Sequence, residues 1–235
     1  MGHQCLRQIT LFSQLLSWMR PSRLLLEPMI QVGYELVTIG AECLKYMTSL
    51  SDPSIRAMAG GNKALYDPLL GAVTRALVLE GKIWLAVSNG RIVGVLGGFG
   101  PGTFLWATEE QRTLGFDSVY ASLSEETKNW WQNIYGPKIK EFMDNALGKT
   151  ANLDGWMIPL VAVDPPFQCR GIATAMFKEM TSEAIQDKAV MVVGADSDLN
   201  VRIYESFGFI LKGKTILASS VQGESYPLFA LKKIP

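Results

Sequence analysis

The sequence predicts an α/β fold: a central mixed, twisted β-sheet flanked by helices, formed by one domain over residues 31–235. Three observations predict it. Residues 156–195 read strand, helix, strand within roughly forty residues, the βαβ unit with parallel neighbours and a right-handed crossover. Residues 82–102 read as a hairpin, and Ile210–Ala218 with Tyr226–Lys232 read as a terminal strand pair around the loop SSVQGES.

The elements follow in order. Residues 34–79 carry helical periodicity in pieces. Leu36, Ile39, Cys43, Leu44 and Met47 fall near a 3.6-residue repeat, and SDPS at 51–54 offers capping residues with a proline suited to a helix start. GGN at 60–62 breaks the run, which Leu65, Leu69, Leu70, Val73 and Leu77 resume. In the hairpin, apolar runs Ile83 to Val87 and Ile92 to Phe99 flank Ser88-Asn89-Gly90-Arg91, and Asn-Gly is a strong turn signal. Glycines 94, 97 and 98 predict a close approach to the second strand's backbone. Residues 103–153 read as a helical insertion between the hairpin and the next strand. Ser124 to Thr127 signals a cap, Trp130, Trp131, Ile134 and Tyr135 lie on adjoining faces, and Gly136-Pro137 is read as an interruption. Trp156 to Val163 is an almost unbroken apolar run, expected to be covered on both faces. Ile172, Ala173, Met176, Phe177, Met180 and Ala184 mark a helix face, residues 189–195 a buried strand, and Leu199 to Phe207 a short helix.

Composition excludes several functions. Lys plus Arg and Asp plus Glu both number 22, no basic cluster appears, and so no field draws the chain to nucleic acid. Three cysteines, Cys5, Cys43 and Cys169, are too scattered for a disulfide framework or a metal cage, and His3 is the only histidine. Histidine-based zinc sites and Ser-His or Cys-His triads therefore lack their imidazole, and no metal site is expected. The apolar stretches of residues 1–30 are broken by Arg, Gln and Ser, which argues against a membrane helix. That segment is read as a poorly ordered extension; a mitochondrial presequence is the other reading, since Met1 to Arg23 holds three arginines and no acid.

The stretch DPPFQCRGIATAMFKEM, 164–180, carries the chemistry. A strand that passes through a glycine turn into a helix leaves backbone N–H groups unpaired at the helix start, and these favour an anion, especially phosphate. The chain lacks Gly-x-x-x-x-Gly-Lys-Ser/Thr and Gly-x-Gly-x-x-Gly, so it is neither a Walker loop nor a dinucleotide fingerprint. Gln168-x-x-Gly171-x-Ala173 remains. Placed between a buried strand and a helix, it resembles the acyl-coenzyme-A signature of the GNAT superfamily of N-acetyltransferases. NVRIYESFGF, 200–209, resembles the Asn-x-x-x-Tyr-Glu-x-x-Gly-Phe segment of many members. The resemblance spans about residues 52–233, and DPSIRAMAGGN and GRIVGVLGGFGPG look like the early parts of a GNAT group common in fungi.

The resemblance implies acetyl-CoA as cofactor and coenzyme A as product. It assigns the pyrophosphate cradle to Gln168, Cys169, Arg170, Gly171, Ile172, Ala173 and Thr174, and backbone bonding of the pantetheine arm to Val161, Ala162 and Val163. Asn200 takes the place of a polar residue near the cofactor, and Tyr204 that of the tyrosine that protonates the departing thiolate. Each has a plainer reading: Tyr204 as core, Asn200 as a helix cap, Arg170 as a solvated turn residue, and the insertion's aromatics as helix core rather than an acceptor wall. Glu109, Glu110, Asp154 and Asp164 are the base candidates, with none preferred. The first strand of the family has one weak candidate here, MIQVGYELVTIG at 29–40.

The function expected is direct transfer of acetyl from the thioester to an amine of a small molecule or protein, in the cytoplasm, or in the mitochondrion under the presequence reading. The rival is an acyl-CoA-binding module with little or no activity that regulates a partner. A homodimer through the aromatic insertion is a further possibility, and no nucleic acid or integral membrane association is expected. Cys169 lies within the predicted cradle, so coenzyme A should slow its labelling by iodoacetamide; equal rates with and without coenzyme A would remove Cys169 from the site.

Overall fold

A computed structural model describes residues 52–89 and 91–235. The expectations for residues 1–30, for the helical run Leu36 to Met47 and for a strand at 29–40 lie outside the described residues, as does Gly90 of the hairpin turn. Among the described residues six strands form one sheet: β1 (Lys82–Ser88), β2 (Arg91–Phe99), β3 (Trp156–Val163), β4 (Met191–Ala195), β5 (Ile210–Ala218) and β6 (Ser225–Lys233). Their spatial order is β1-β2-β3-β4-β6-β5. Only β3 and β4 run parallel; every other neighbouring pair is antiparallel. The parallel pair is the expected βαβ unit, and its crossover is the helix α6 described below.

Helices α1 (Pro53–Met58) and α2 (Tyr66–Glu80) precede the sheet. Asp52 caps α1, its Oδ1 accepting from the N–H groups of Ser54 and Ile55 at 3.0 Å, with Pro53 in the first turn. Between β2 and β3 the chain is helical: α3 spans 109–121 and α4 spans 125–147, followed by α5 (Ala151–Asp154). Ser124 caps α4 by accepting from the Thr127 N–H at 3.2 Å. Gly136-Pro137 does not break α4. A wider π-type turn over Trp131–Tyr135, in which the Gly136 N–H donates to the Trp131 carbonyl, absorbs the missing donor and the bulk of Pro137. Helix α6 (Ile172–Gln186) links β3 to β4, and α7 (Asp198–Ser206) links β4 to β5.

The sheet has a helical layer on each face. On one, Met176, Phe177 and Met180 of α6 pack on Trp156, Ile158 and Met191. On the other, Leu70, Val73 and Leu77 of α2 pack on Val95, Phe99, Leu160 and Ala162, while Phe142, Met143 and Leu147 of α4 cover Val192 and Ala230. Strand β3 thus serves both layers, its first half facing α6 and its second half facing α2. The cause is a bulge: Gly97 pairs with Leu160 but Phe99 with Met157, so three steps on β3 match two on β2. One extra residue reverses every later side chain. Pro159 sits inside the bulge, a position that tolerates the missing N–H.

The glycines of β2 admit the protein's own helices. A Cβ at Gly94 would stand 3.0 Å from Ile172 Cγ2 and 3.3 Å from Met176 Cε, so Gly94 lets the first turn of α6 settle onto the sheet. A Cβ at Gly97 would meet Leu77 Cδ1 at 2.4 Å, and Leu77 is fully buried. Gly97→Val should therefore destabilise by about 1–3 kcal/mol through overpacking. Urea unfolding of the single variants and of the double variant with Leu77→Ala should show much of that cost relieved in the double, because the two sites are in contact.

Candidate active site

The turn between β3 and α6 is held from several sides. The Asp164 N–H donates to the Val93 carbonyl at 2.9 Å, and Pro165–Phe167 forms a single 3₁₀ turn. Gln168 Nε2 donates to the Val163 carbonyl at 2.9 Å, so its side chain braces the strand end. The Arg170 guanidinium lies over the Phe167 ring, 5.4 Å from its centroid. Cys169 and Gly171 both have left-handed backbones, with φ of 57° and 79°. These two reversals turn the chain into α6, which starts without a side-chain cap. The Ala175 N–H donates to the Gly171 carbonyl, so the preceding N–H groups of Ile172, Ala173 and Thr174 stand before the first intrahelical bond. A Cβ at Gly171 would meet nothing within 4 Å. The turn therefore presents open space beside a row of donors at a helix start, the arrangement that takes a phosphate.

Beside this turn the sheet opens. Pairing of β3 with β4 is confined to Trp156–Met191, Met157–Val192 and Ile158–Val193. Beyond the bulge, Val161, Ala162 and Val163 pair, among the described residues, only with β2. The Asp164 N–H points to β2, and alternation along the strand then turns the Ala162 backbone groups to β2 as well. The N–H and C=O groups of Val161 and Val163 face the open side. An extended amide-bearing chain could pair with them as a neighbouring strand would.

The third part lies where β4 ends. Ser197, not Asn200, caps α7, accepting from the Asn200 N–H at 3.2 Å. Asn200 reaches back instead, its Nδ2 donating to Asp196 Oδ1 at 3.2 Å. Tyr204, one turn further, is 8% exposed and packs edge-on against Phe177 and Phe209, with centroids at 6.1 and 5.8 Å. It is at once a core residue and an ionisable one. Burial, with the negative charges of Asp196 and Asp52 added, pushes its phenol well above the ordinary tyrosine range and keeps it protonated. Tyr135 of α4 and Tyr226 of β6 are raised in the same way, burial first.

Asp196 is the residue that the sequence reading missed. It directly follows β4, is 9% exposed, and is pushed up to about 7 by burial and by hydrogen bonding and charge from Asp52. Its Oδ2 is buried without a hydrogen-bond partner of ordinary geometry. Asp52 caps α1 as expected, yet also reaches Asp196 across more than 140 positions of sequence, a proximity that nothing local signals. The one available cue was an acid at the carboxyl end of a parallel strand, where open α/β sheets place ligands. Of the earlier base candidates, Glu109, Glu110 and Asp154 are exposed, and Asp164 is buried beneath the turn at 2% exposure.

The aromatic stripe of the insertion divides. Trp130 is core, packed with Ala57, Leu217 and Tyr226, and its Nε1 donates to the Ala218 carbonyl at 2.7 Å. Trp106, Phe116, Trp131 and Tyr135 form a half-buried run of ring contacts with centroids 4.1–6.0 Å apart. Trp131 Nε1 donates to the Met58 carbonyl at 2.9 Å, which joins the run to α1 and so to Asp52.

Residues 141–222 match the family model described as an acetyltransferase (GNAT) domain. That span begins within α4 and holds β3, the glycine turn, α6, β4, α7 and β5. No curated protein sequence matches the chain. Among solved structures it is similar to histone acetyltransferase HPA2 and related acetyltransferase from Corynebacterium glutamicum. The identity is 16% over 86% of this chain and 92% of that one, with a TM-score of 0.54. An N-acetyltransferase from Staphylococcus aureus matches at 18% identity over 84% of this chain and 95% of that one, TM-score 0.49. A GNAT family acetyltransferase from Elizabethkingia anophelis, solved with acetyl-CoA bound, matches at 14% over 79% and 92%, TM-score 0.39. The fold agrees with the first of these, and the family model falls on the segment that builds the turn, the opened strand and the buried tyrosine. Residues 141–222 thus match a GNAT acetyltransferase domain, and the chain shares its fold with the first of these structures.

Proposed function

We propose that this chain transfers the acetyl group of acetyl-CoA directly to an amine, with Tyr204 as the proton donor to the departing sulfur. The observation that carries this reading is the β3 strand end, where Val161 and Val163 lose their β4 partner immediately before a glycine turn shaped for phosphate. The N–H groups of Gly171, Ile172, Ala173 and Thr174 would hold the pyrophosphate, and Val161 and Val163 the amide-bearing arm. Gln168 acts by fixing the end of β3, Arg170 by offering a cation at the rim of the turn, and Asn200 by orienting Asp196.

The chemistry that acetyl-CoA supplies is an activated acyl carbon with a thiolate leaving group. The protein's part is to orient that carbon, exclude water and manage protons. A strand N–H facing the gap can polarise the thioester carbonyl, so the transfer needs no covalent intermediate on the enzyme. Tyr204, held protonated by burial and the adjacent carboxylates, has its proton available throughout the neutral range and yields it as charge develops on sulfur. The acceptor enters from the side lined by α1 and the ring run of Trp106, Phe116, Trp131 and Tyr135.

Two measurements test the reading. Coenzyme A at about 100 times its Kd should raise the unfolding free energy by about 2.7 kcal/mol. Gly171→Val, which forces a β-branched residue into a left-handed backbone, should lose about 1–2 kcal/mol of stability and most of the coenzyme A effect. Gly171→Asn should retain more of both. Absence of any stabilisation by coenzyme A or acetyl-CoA would overturn the cradle. Tyr204→Phe should leave coenzyme A binding intact and lower amine-dependent thiol release by about 10²–10⁴-fold; an unchanged rate would return Tyr204 to the core and nothing more.

A further inference from the structure

Four elements direct ionisable groups at one spot: exposed Asp52 at the start of α1, half-buried Tyr135 from α4, and buried Asp196 and Tyr204 from the β4–α7 segment and Tyr226 from β6. Every ionisable group that acts on another here is acidic. Among the described residues no lysine or arginine acts on Asp196. Two polar atoms in this cluster are buried and unsatisfied, Asp196 Oδ2 and the hydroxyl of Tyr226, a residue only 3% exposed. Buried polar atoms ordinarily find partners, and a buried carboxyl that faces a second, exposed acid without a cation is costly. The arrangement lacks one thing, a positively charged group that donates several hydrogen bonds. An ammonium ion has that character.

Resting on the acetyltransferase reading above, we infer that the Asp52–Asp196 pair receives the acceptor as an ammonium ion and takes its proton, Asp196 as catalytic base and Asp52 as positioning residue. The Asn200 amide holds the Asp196 carboxylate through Oδ1, Asp52 and Ser54 face it from the start of α1, and Oδ2 has no partner of ordinary hydrogen-bond geometry. Asp52 is fixed in turn by the α1 N–H groups of Ser54 and Ile55 and by the Ser54 hydroxyl at 2.6 Å. The acceptor class follows: a primary aliphatic amine that is protonated at neutral pH, in preference to a weakly basic arylamine.

The protons balance. The ammonium gives one proton to the pair and becomes a neutral amine, whose nitrogen lone pair forms the C–N bond at the acyl carbon. The C–S bond breaks, and sulfur leaves with the electron pair and takes the Tyr204 proton. The nitrogen's second proton restores the phenol, and the pair releases the first to solvent. Thioester and ammonium become amide, thiol and one free proton.

The pair takes up one proton as pH falls through neutrality, so acid should remove the base. The sign for stability is the reverse. Asp196 moves from an ordinary 3.8 to about 7, so across that window the folded protein binds a proton that the unfolded chain does not. Stability on this account is greatest at the acid side of the window and declines as pH rises through it.

The test compares wild type, Asp196→Asn and Asp52→Asn in full-length protein. It follows thiol release from acetyl-CoA with ethanolamine, phenethylamine and spermidine as probes across pH, and unfolding temperature with and without coenzyme A. In wild type, kcat/KM should fall on the acid side with an apparent midpoint near 7. Asp196→Asn should lower it by about 10²–10⁴-fold, lose that acid limb, and keep the coenzyme A stabilisation. It should also unfold at higher temperature than wild type at pH 8, and the gap should close at pH 5. Asp52→Asn should shift the acid limb to lower pH without abolishing turnover. Turnover by Asp196→Asn with the wild-type limb would overturn the inference and leave the acetyltransferase reading standing. Coenzyme A binding with no wild-type turnover on any probe would overturn both, and loss of coenzyme A binding in the Asn variants would show the pair to be structural.

Discussion

The site depends on one irregularity of the backbone, the extra residue at Pro159. A regular β3 would have kept one face against α6 and continued its pairing with β4 to the strand end. The bulge changes both. It turns Leu160 and Ala162 into the α2 layer, and it bends the strand away so that β4 pairing stops at Ile158. The gap beside β4 and the reversal that completes the second core are therefore one event. Proline contributes by being unable to donate at the position where regular pairing would ask for a donor. Gly94 completes the arrangement from the neighbouring strand, since only a residue without a Cβ lets α6 begin so close to the sheet.

Around that gap the protein uses burial to set proton affinities without histidine. The same low-polarity surroundings raise a carboxyl to about 7 and hold a phenol protonated. Burial is the largest cause in both, and the neighbouring carboxylates add to it. The proposed donor and acceptor of protons thus share an interior whose bulk is Phe177, Phe209, Trp130 and Leu217. The packing that stabilises the β4–β6–β5 half of the sheet also tunes the chemistry beside it.

Much of this was legible in the sequence, for reasons that differ by element. The glycine turn was readable because Gly171 needs a left-handed backbone and the alternation of apolar and small residues fixes where α6 starts. Tyr204 was readable from its motif; its burial and ring contacts are those of a core residue, and its proposed role as acid draws on the same environment. The Pro137 break was misread because a π-type turn can absorb a proline that an α-helix cannot. Asn200 was assigned a capping alternative that Ser197 fills instead. The glycines of β2 did signal close approach, and the groups that approach are Leu77, Ile172, Met176 and Met180. Asp52 and Asp196 escaped notice because each looks ordinary in its own segment, one a helix cap and the other a strand end. Their meaning comes only from tertiary contact.

The indole of Trp131 has a consequence of another kind. Its N–H is tied to the Met58 carbonyl of α1, and its ring touches Phe116 and Tyr135 while remaining half-buried. A fluorophore so placed senses the dielectric and the hydrogen bonding of the very wall that an acceptor would approach. Its emission colour and its quenching by small solutes would register occupancy of that wall without any label.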